Sequence, residues 1–89
     1  MTQIFYIVSL SPDDKGGIHQ YELTSDLSIR ETNFYPLPNA LWLTFNSDRS
    51  VLYVSTSDPE IGTVHSYKIN KESNPPTLEL INSQKTGAN

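Results

Sequence analysis

The chain has 89 residues, 36% of them hydrophobic and 18% charged, and a mass of 10.0 kDa, which suits one small domain at most. It contains no cysteine, which excludes a disulfide framework, a thiolate zinc site and a cysteine nucleophile. Six Lys plus Arg against ten Asp plus Glu leave a net charge of -4 with no basic cluster to offset it, so neither nucleic acid nor a membrane surface is an expected partner.

Composition points to an all-β fold. Val, Ile, Thr, Tyr, Phe and Trp supply 28 of the 89 residues, whereas alanine occurs only at Ala40 and Ala88. In chain order the first strand is Ile4 to Leu10, ended by the turn residues from Ser11 to Gly17. Ile18 to Leu23 follows, then Leu27 to Tyr35 after a tight turn, until Pro36 and Pro38 stop the ladder. Leu41 to Phe45, Val51 to Ser57, Thr63 to Ile69 and Leu78 to Ser83 form a second group, separated by short polar loops. Such spacing predicts antiparallel meanders. The longest apolar run, Ile4 to Val8, is too short for a membrane helix of about 20 residues, and the start lacks the basic flank of a secretory signal, so an untargeted cytoplasmic chain is expected.

An internal repeat then organises these strands. Ile4-Phe5-Tyr6-Ile7-Val8-Ser9 matches Val51-Leu52-Tyr53-Val54-Ser55-Thr56 at an offset of 47, and Ile18-His19-Gln20-Tyr21-Glu22-Leu23 matches Val64-His65-Ser66-Tyr67-Lys68-Ile69 at 46. Leu27-Ser28-Ile29 is matched to Leu78-Glu79-Leu80 at 51, the drift being read as one loop insertion. A repeat of about 40–50 residues built from four strands is the mark of a propeller blade. Residues 1–35 read as a first blade lacking its innermost strand, and residues 36–89 as a second blade and the start of the next. Two blades cannot close a ring of about 4–8. The expectation is therefore the N-terminal piece of a longer propeller.

The residues also carry a family resemblance. The run from Leu41 to Val54, with its Asn46-Ser47-Asp48-Arg49-Ser50 turn and Leu52-Tyr53-Val54 strand, resembles the inner hairpin of the lactonase family of seven-bladed propellers. Gly62 to Asn70 resembles that family's third strand, and Gly87-Ala88-Asn89 the opening of the next blade. The turn departs from the family pattern, with Ser47 where Pro is usual and Arg49-Ser50 where Gly-Arg or Gly-Lys is common. The resemblance implies a 6-phosphogluconolactonase or a fungal carboxy-cis,cis-muconate cyclase, the Trp42 to Phe45 run being closer to the second. It also implies catalytic His and Arg side chains in later blades around a central channel, so no catalytic residue is carried over. Asn39 and Trp42, at the start of an innermost strand, are the channel-lining candidates; the plainer alternative is that Asn39 supports a turn and Trp42 packs between blades.

Other candidates are weaker. His19 and His65 occupy equivalent repeat positions, His19 sharing a strand face with Tyr21 and Leu23, and the repeat itself explains the pairing. No spacing places a partner carboxylate or a third ligand on either, so a strand-packing role is expected. Asp13-Asp14 and Asp58-Pro59-Glu60 lack calcium-loop spacing, and Gly16-Gly17 precedes a strand rather than a helix, so neither a metal nor a cofactor is expected. Trp42, Phe45, Tyr53, Val54, Tyr67 and Ile69 are expected to be the best-buried residues of the second unit. Three functions follow: part of a lactone-handling enzyme, inactive alone, with an anionic lactone or muconate as substrate; a non-catalytic interaction module; or a self-assembling two-blade piece. The expected partners are the rest of a propeller chain or further copies of this one.

Overall fold

All seven strand-like segments form strands in the computed structural model, which describes residues 3–57 and 62–85. They are β1 (Gln3–Ser9), β2 (Gly17–Leu23), β3 (Ile29–Pro36), β4 (Ala40–Phe45), β5 (Val51–Ser57), β6 (Gly62–Asn70) and β7 (Thr77–Lys85). Strands β1-β2-β3 make one antiparallel sheet and β4-β5-β6-β7 a second, each in sequence order. The acidic run at Asp58-Pro59-Glu60 and the segment Gly87-Ala88-Asn89 lie outside the described residues.

Turn chemistry sets where the strands reverse. Thr24-Ser25-Asp26-Leu27-Ser28 and Asn46-Ser47-Asp48-Arg49-Ser50 are built alike: the fourth residue turns left-handed, Leu27 at φ 69° and Arg49 at φ 59°. Its amide donates to the first residue's carbonyl, Leu27 to Thr24 at 3.0 Å and Arg49 to Asn46 at 3.1 Å. Asp26 and Asp48 each accept from the amide of the following serine, Ser28 at 3.1 Å and Ser50 at 3.0 Å. Hydroxyls of Thr24 and Ser50 also donate to these carboxylates, and such hydrogen bonds hold both aspartates below their ordinary pKa. Arg49 thus occupies the left-handed position that a glycine would fill without steric cost.

The repeat is reproduced in the hydrogen-bond register. Phe5 pairs with Tyr21 and Ile7 with His19, just as Leu52 pairs with Tyr67 and Val54 with His65. A bulge recurs at the same place, between Gln20 and Tyr21 in one sheet and between Ser66 and Tyr67 in the other, leaving Thr32 and Ile81 as the extra residues. The third match needs correction. Leu23 pairs with Ile29 and Ile69 with Leu78, so Ile29 corresponds to Leu78 at an offset of 49 rather than 51. The longer β6–β7 connection, which includes Pro75-Pro76, accounts for the step from 46 to 49.

The two sheets pack face to face. Ile18 from the first and Ala40, Leu52, Val54, Tyr67 and Ile69 from the second form the buried core, with Tyr6, Val8, Tyr35, Leu37, Leu43 and Phe45 packed against it. Tyr6 lies 6.0 Å from Phe45, centroid to centroid, across the interface. Polar groups also cross it: Gln20 Nε2 donates to the Pro76 carbonyl at 2.7 Å, and the Tyr35 hydroxyl accepts from the Leu78 amide at 3.0 Å. Gly17 is needed where β2 meets the end of β3, because a Cβ there would stand 2.3 Å from the Tyr35 carbonyl oxygen.

Burial of the second sheet differs from the expected set. Val54, Tyr67 and Ile69 are buried, but Leu52 is fully buried, Phe45 and Tyr53 are only half-buried, and Trp42 is 61% exposed. The reason is the period of two along a strand. Phe45 pairs with Leu52 and Leu43 with Val54 on the inner face, which puts Trp42, opposite Ser55, on the outer face with Tyr53. A bulge at Leu41 then turns Ala40 back to the inside.

Candidate functional site

The outer face of the first sheet holds the densest cluster of chemically capable side chains among the described residues. Alternation along β2 turns His19 and Tyr21 outward, where they meet Phe5, Ile7 and Ser9 of β1 and Glu31 and Phe34 of β3. His19 Nδ1 stands 2.6 Å from Glu31 Oε1 and His19 Nε2 stands 3.0 Å from Ser9 Oγ. The imidazole is sandwiched laterally, 4.6 Å from the Phe34 ring and 6.2 Å from Tyr21, and Tyr21 stacks on Phe5 at 5.4 Å. A carboxylate does therefore converge on His19, contrary to the expectation from spacing. The bulge beside Gln20 brings Glu31 into reach, and nothing in the sequence marks that bulge.

Hydroxyl, imidazole and carboxylate in this order are the parts of an activated nucleophile. Two observations argue for a cross-strand brace instead. Ser9 Oγ donates to the Lys15 carbonyl at 3.0 Å, so its single proton is already used. The same contact recurs one repeat later, where Thr56 Oγ1 lies 3.1 Å from His65 Nε2 and Ser83 Oγ lies 2.8 Å from His65 Nδ1, on the face turned into the inter-sheet core. The hydroxyl–Nε2 contact that recurs with the repeat, at the half-buried His65, points to a strand-packing role.

A cleft of about 240 Å³ opens between the sheets, lined by Ile4, Tyr6, Phe45, Arg49, Ile69, Lys71 and Pro76. It is smaller than the roughly 300–1,000 Å³ of a drug-sized site. Arg49 sits 5.1 Å above the Phe45 ring, and both Arg49 and Lys71 are exposed. The Tyr6 hydroxyl is buried with no hydrogen-bond partner, and burial, reinforced by Tyr35 nearby, pushes its pKa up to about 12. Among the described residues its lining includes no His, Asp or Glu.

Of the channel candidates, Asn39 directly precedes β4 and Trp42 lies within it. Asn39 is left-handed at φ 64°; its amide donates to the Ser11 carbonyl at 2.7 Å and its carbonyl accepts from the Ser57 amide at 3.1 Å. Its backbone therefore ties the connector between the sheets to both. Trp42 projects from the outer face of the second sheet. The arginines do not join the histidines: Arg30 pairs with Glu22 at 3.0 Å, and Arg49 stays on Phe45.

Comparison with protein families matches residues 4–89 to the model described as Lactonase, 7-bladed beta-propeller. No curated protein and no solved structure gives a significant match.

Proposed function

The chain belongs to the lactonase family of seven-bladed β-propellers, and from that premise we propose that it supplies two consecutive blades of a lactone-handling enzyme. The reaction would be opening of a sugar lactone, as in a 6-phosphogluconolactonase, or closure of a carboxymuconate. The observation that carries this reading is the extent of the family match, which runs through both sheets and the connector rather than through one blade. In the assembled ring Asn39 and Trp42 would stand at the channel wall, at the start of the innermost strand β4. The enzyme would act in the cytoplasm on a small anionic substrate.

Turnover would require groups from other blades. Lactone chemistry needs an acid or base and cationic or hydrogen-bonding stabilisation converging within about 3 Å of the reacting atoms. Here His19 and His65 project from equivalent faces of successive sheets, Arg30 is paired, and Arg49 is stacked. A chain of net charge -4 also does little to attract an anion, so cationic residues would come from elsewhere in the ring.

The test is an assay of the purified chain, alone and mixed with a seven-bladed lactonase-family enzyme deleted for its first two blades, using a six-carbon sugar lactone and a carboxymuconate. Inactivity alone and turnover in the mixture is the expected result. Turnover by the chain alone that vanishes in His19→Ala or His65→Ala would overturn it, as would a stable mixture with no activity on either substrate.

A further inference from the structure

We propose that the cleft between the two sheets binds a small aromatic carboxylate, the ring lying between the sheets and the carboxylate meeting Arg49 and Lys71. Its apolar walls come from both sides: Ile4 and Tyr6 of β1 face Phe45 and Ile69 of the second sheet and Pro76 of its last loop. An engineered apolar cavity of roughly 150 Å³ takes up benzene, so a cleft of about 240 Å³ has room for one ring and a carboxylate. The Tyr6 and Phe45 rings, 6.0 Å apart and tilted by 56°, suit a third aromatic ring set against them. This space lies between the faces that meet inside the chain, so blades on the outer faces do not enter it.

Charge selects the carboxylate. The chain has six Lys plus Arg against ten Asp plus Glu, yet the described lining of the cleft holds two of the six and none of the ten. Among the described residues neither Arg49 nor Lys71 is in an ion pair. Their sequence neighbours Asp48 and Glu72 do not line the cleft, and Asp48 Oδ1 already accepts from the Ser50 amide at 3.0 Å and hydroxyl at 2.6 Å. Arg49 is held ready: its amide donates to the Asn46 carbonyl at 3.1 Å, and its guanidinium stands 5.1 Å from the centre of the Phe45 ring. Its planar fork therefore meets a carboxylate at little cost in ordering. Ile4 lies near the start of β1 and Phe45 ends β4, whereas Asn39 precedes β4 and bonds to Ser11, beyond the end of β1. The cleft is thus at the opposite end of the strands from Asn39, apart from the proposed channel site. Because its walls belong to two sheets, an occupied cleft ties them together and favours the folded state.

The experiment titrates the folded chain with sodium benzoate at constant ionic strength, following backbone amide shifts by NMR and the thermal midpoint by circular dichroism. Shifts should saturate and group around Ile4, Tyr6, Phe45, Arg49, Ile69 and Lys71, and the midpoint should rise with benzoate. Benzamide, which lacks the charge, should bind about tenfold more weakly, the loss expected of a charge-assisted contact, and acetate, which lacks the ring, more weakly still. Arg49→Gln and Lys71→Gln, both at exposed side chains, should each weaken benzoate by about fivefold and leave benzamide unchanged. If circular dichroism shows Arg49→Gln to be unfolded, Lys71→Gln and the comparison of ligands on the parent decide the point. Shifts that never saturate or that scatter over the surface overturn the proposal. So does benzamide binding as tightly as benzoate, or a folded variant that binds benzoate like the parent. Lactone turnover is not read in this titration, so the two readings fail separately.

Discussion

Tyr21 and Tyr67 occupy the same point of the repeat, opposite Phe5 and Leu52 and next to the same bulge, yet Tyr67 is 7% exposed while Tyr21 is half-buried on an open face. The contrast holds for Ile7 against Val54 and Phe5 against Leu52. Backbone pairing is therefore local to each sheet, whereas burial is conferred by whatever sheet lies alongside. The second sheet has the first as its cover on one side; the first sheet's equivalent side is uncovered in the single chain. One sequence motif thus yields a core in one place and a solvent-facing side in the other.

The largest expected difference between the two regions comes from trimming matched apolar positions. Leu52→Ala should cost about 2–5 kcal/mol by opening a cavity in the shared core. Ile7→Ala, at a position 49% exposed whose counterpart is fully buried, should cost about 0.5 kcal/mol or less. Urea unfolding gives both values; equal losses would mean the first sheet is covered as well.

Next in size is the polar pair at the repeat position of Gln20 and Ser66. Gln20 is fully buried, bonds to Thr32 Oγ1 at 3.1 Å and reaches across the interface to the Pro76 carbonyl, so Gln20→Ala should cost about 1–3 kcal/mol by stranding that acceptor. Ser66→Ala, on the outward face of the second sheet, should change stability by no more than about 0.5 kcal/mol. A smaller loss at Gln20 than at Ser66 would show that the inter-sheet hydrogen bond is not formed in solution.

Tyr6 and its counterpart Tyr53 give a third, smaller contrast, with a pH signature. The Tyr6 hydroxyl is buried and unpartnered, so Tyr6→Phe should be neutral or stabilising by about 1 kcal/mol at neutral pH. With its folded pKa raised to about 12 from 10.0, Tyr6 contributes stability that is present below pH 10 and is lost as pH rises toward 12, because the unfolded chain loses its proton first. Alkaline denaturation should therefore be shallower in Tyr6→Phe than in the parent. An unchanged alkaline profile would place the hydroxyl in water.

The smallest expected effect is at Trp42. Sequence reasoning alone assigns a buried tryptophan and a loss of about 3–5 kcal/mol on truncation. On an outer face at 61% exposure, Trp42→Ala should instead cost about 0.5 kcal/mol or less. Thermal unfolding checks this, and a loss as large as that at Leu52 would place the indole in a core.

Much of this fold is legible in the amino-acid sequence because its determinants are local. β-Branched and aromatic runs mark all seven strands, and Gly, Pro, Asn, Asp and Ser mark the turns between them. The repeat offsets of 47 and 46 already contain the pairing register, since equivalent strands pair equivalently although the connections between them differ by one residue. What the sequence hides is set by insertions of single residues and by neighbours. The bulge at Leu41 and the parity of Leu43 and Phe45 put Trp42 outside. The bulge beside Gln20 brings Glu31 to His19, a contact that no spacing rule anticipates. Which face of each sheet becomes core was decided only when one sheet lay against the other, because the alternating apolar residues of a blade suit either side and the hydrophobic effect rewards whichever side loses its water.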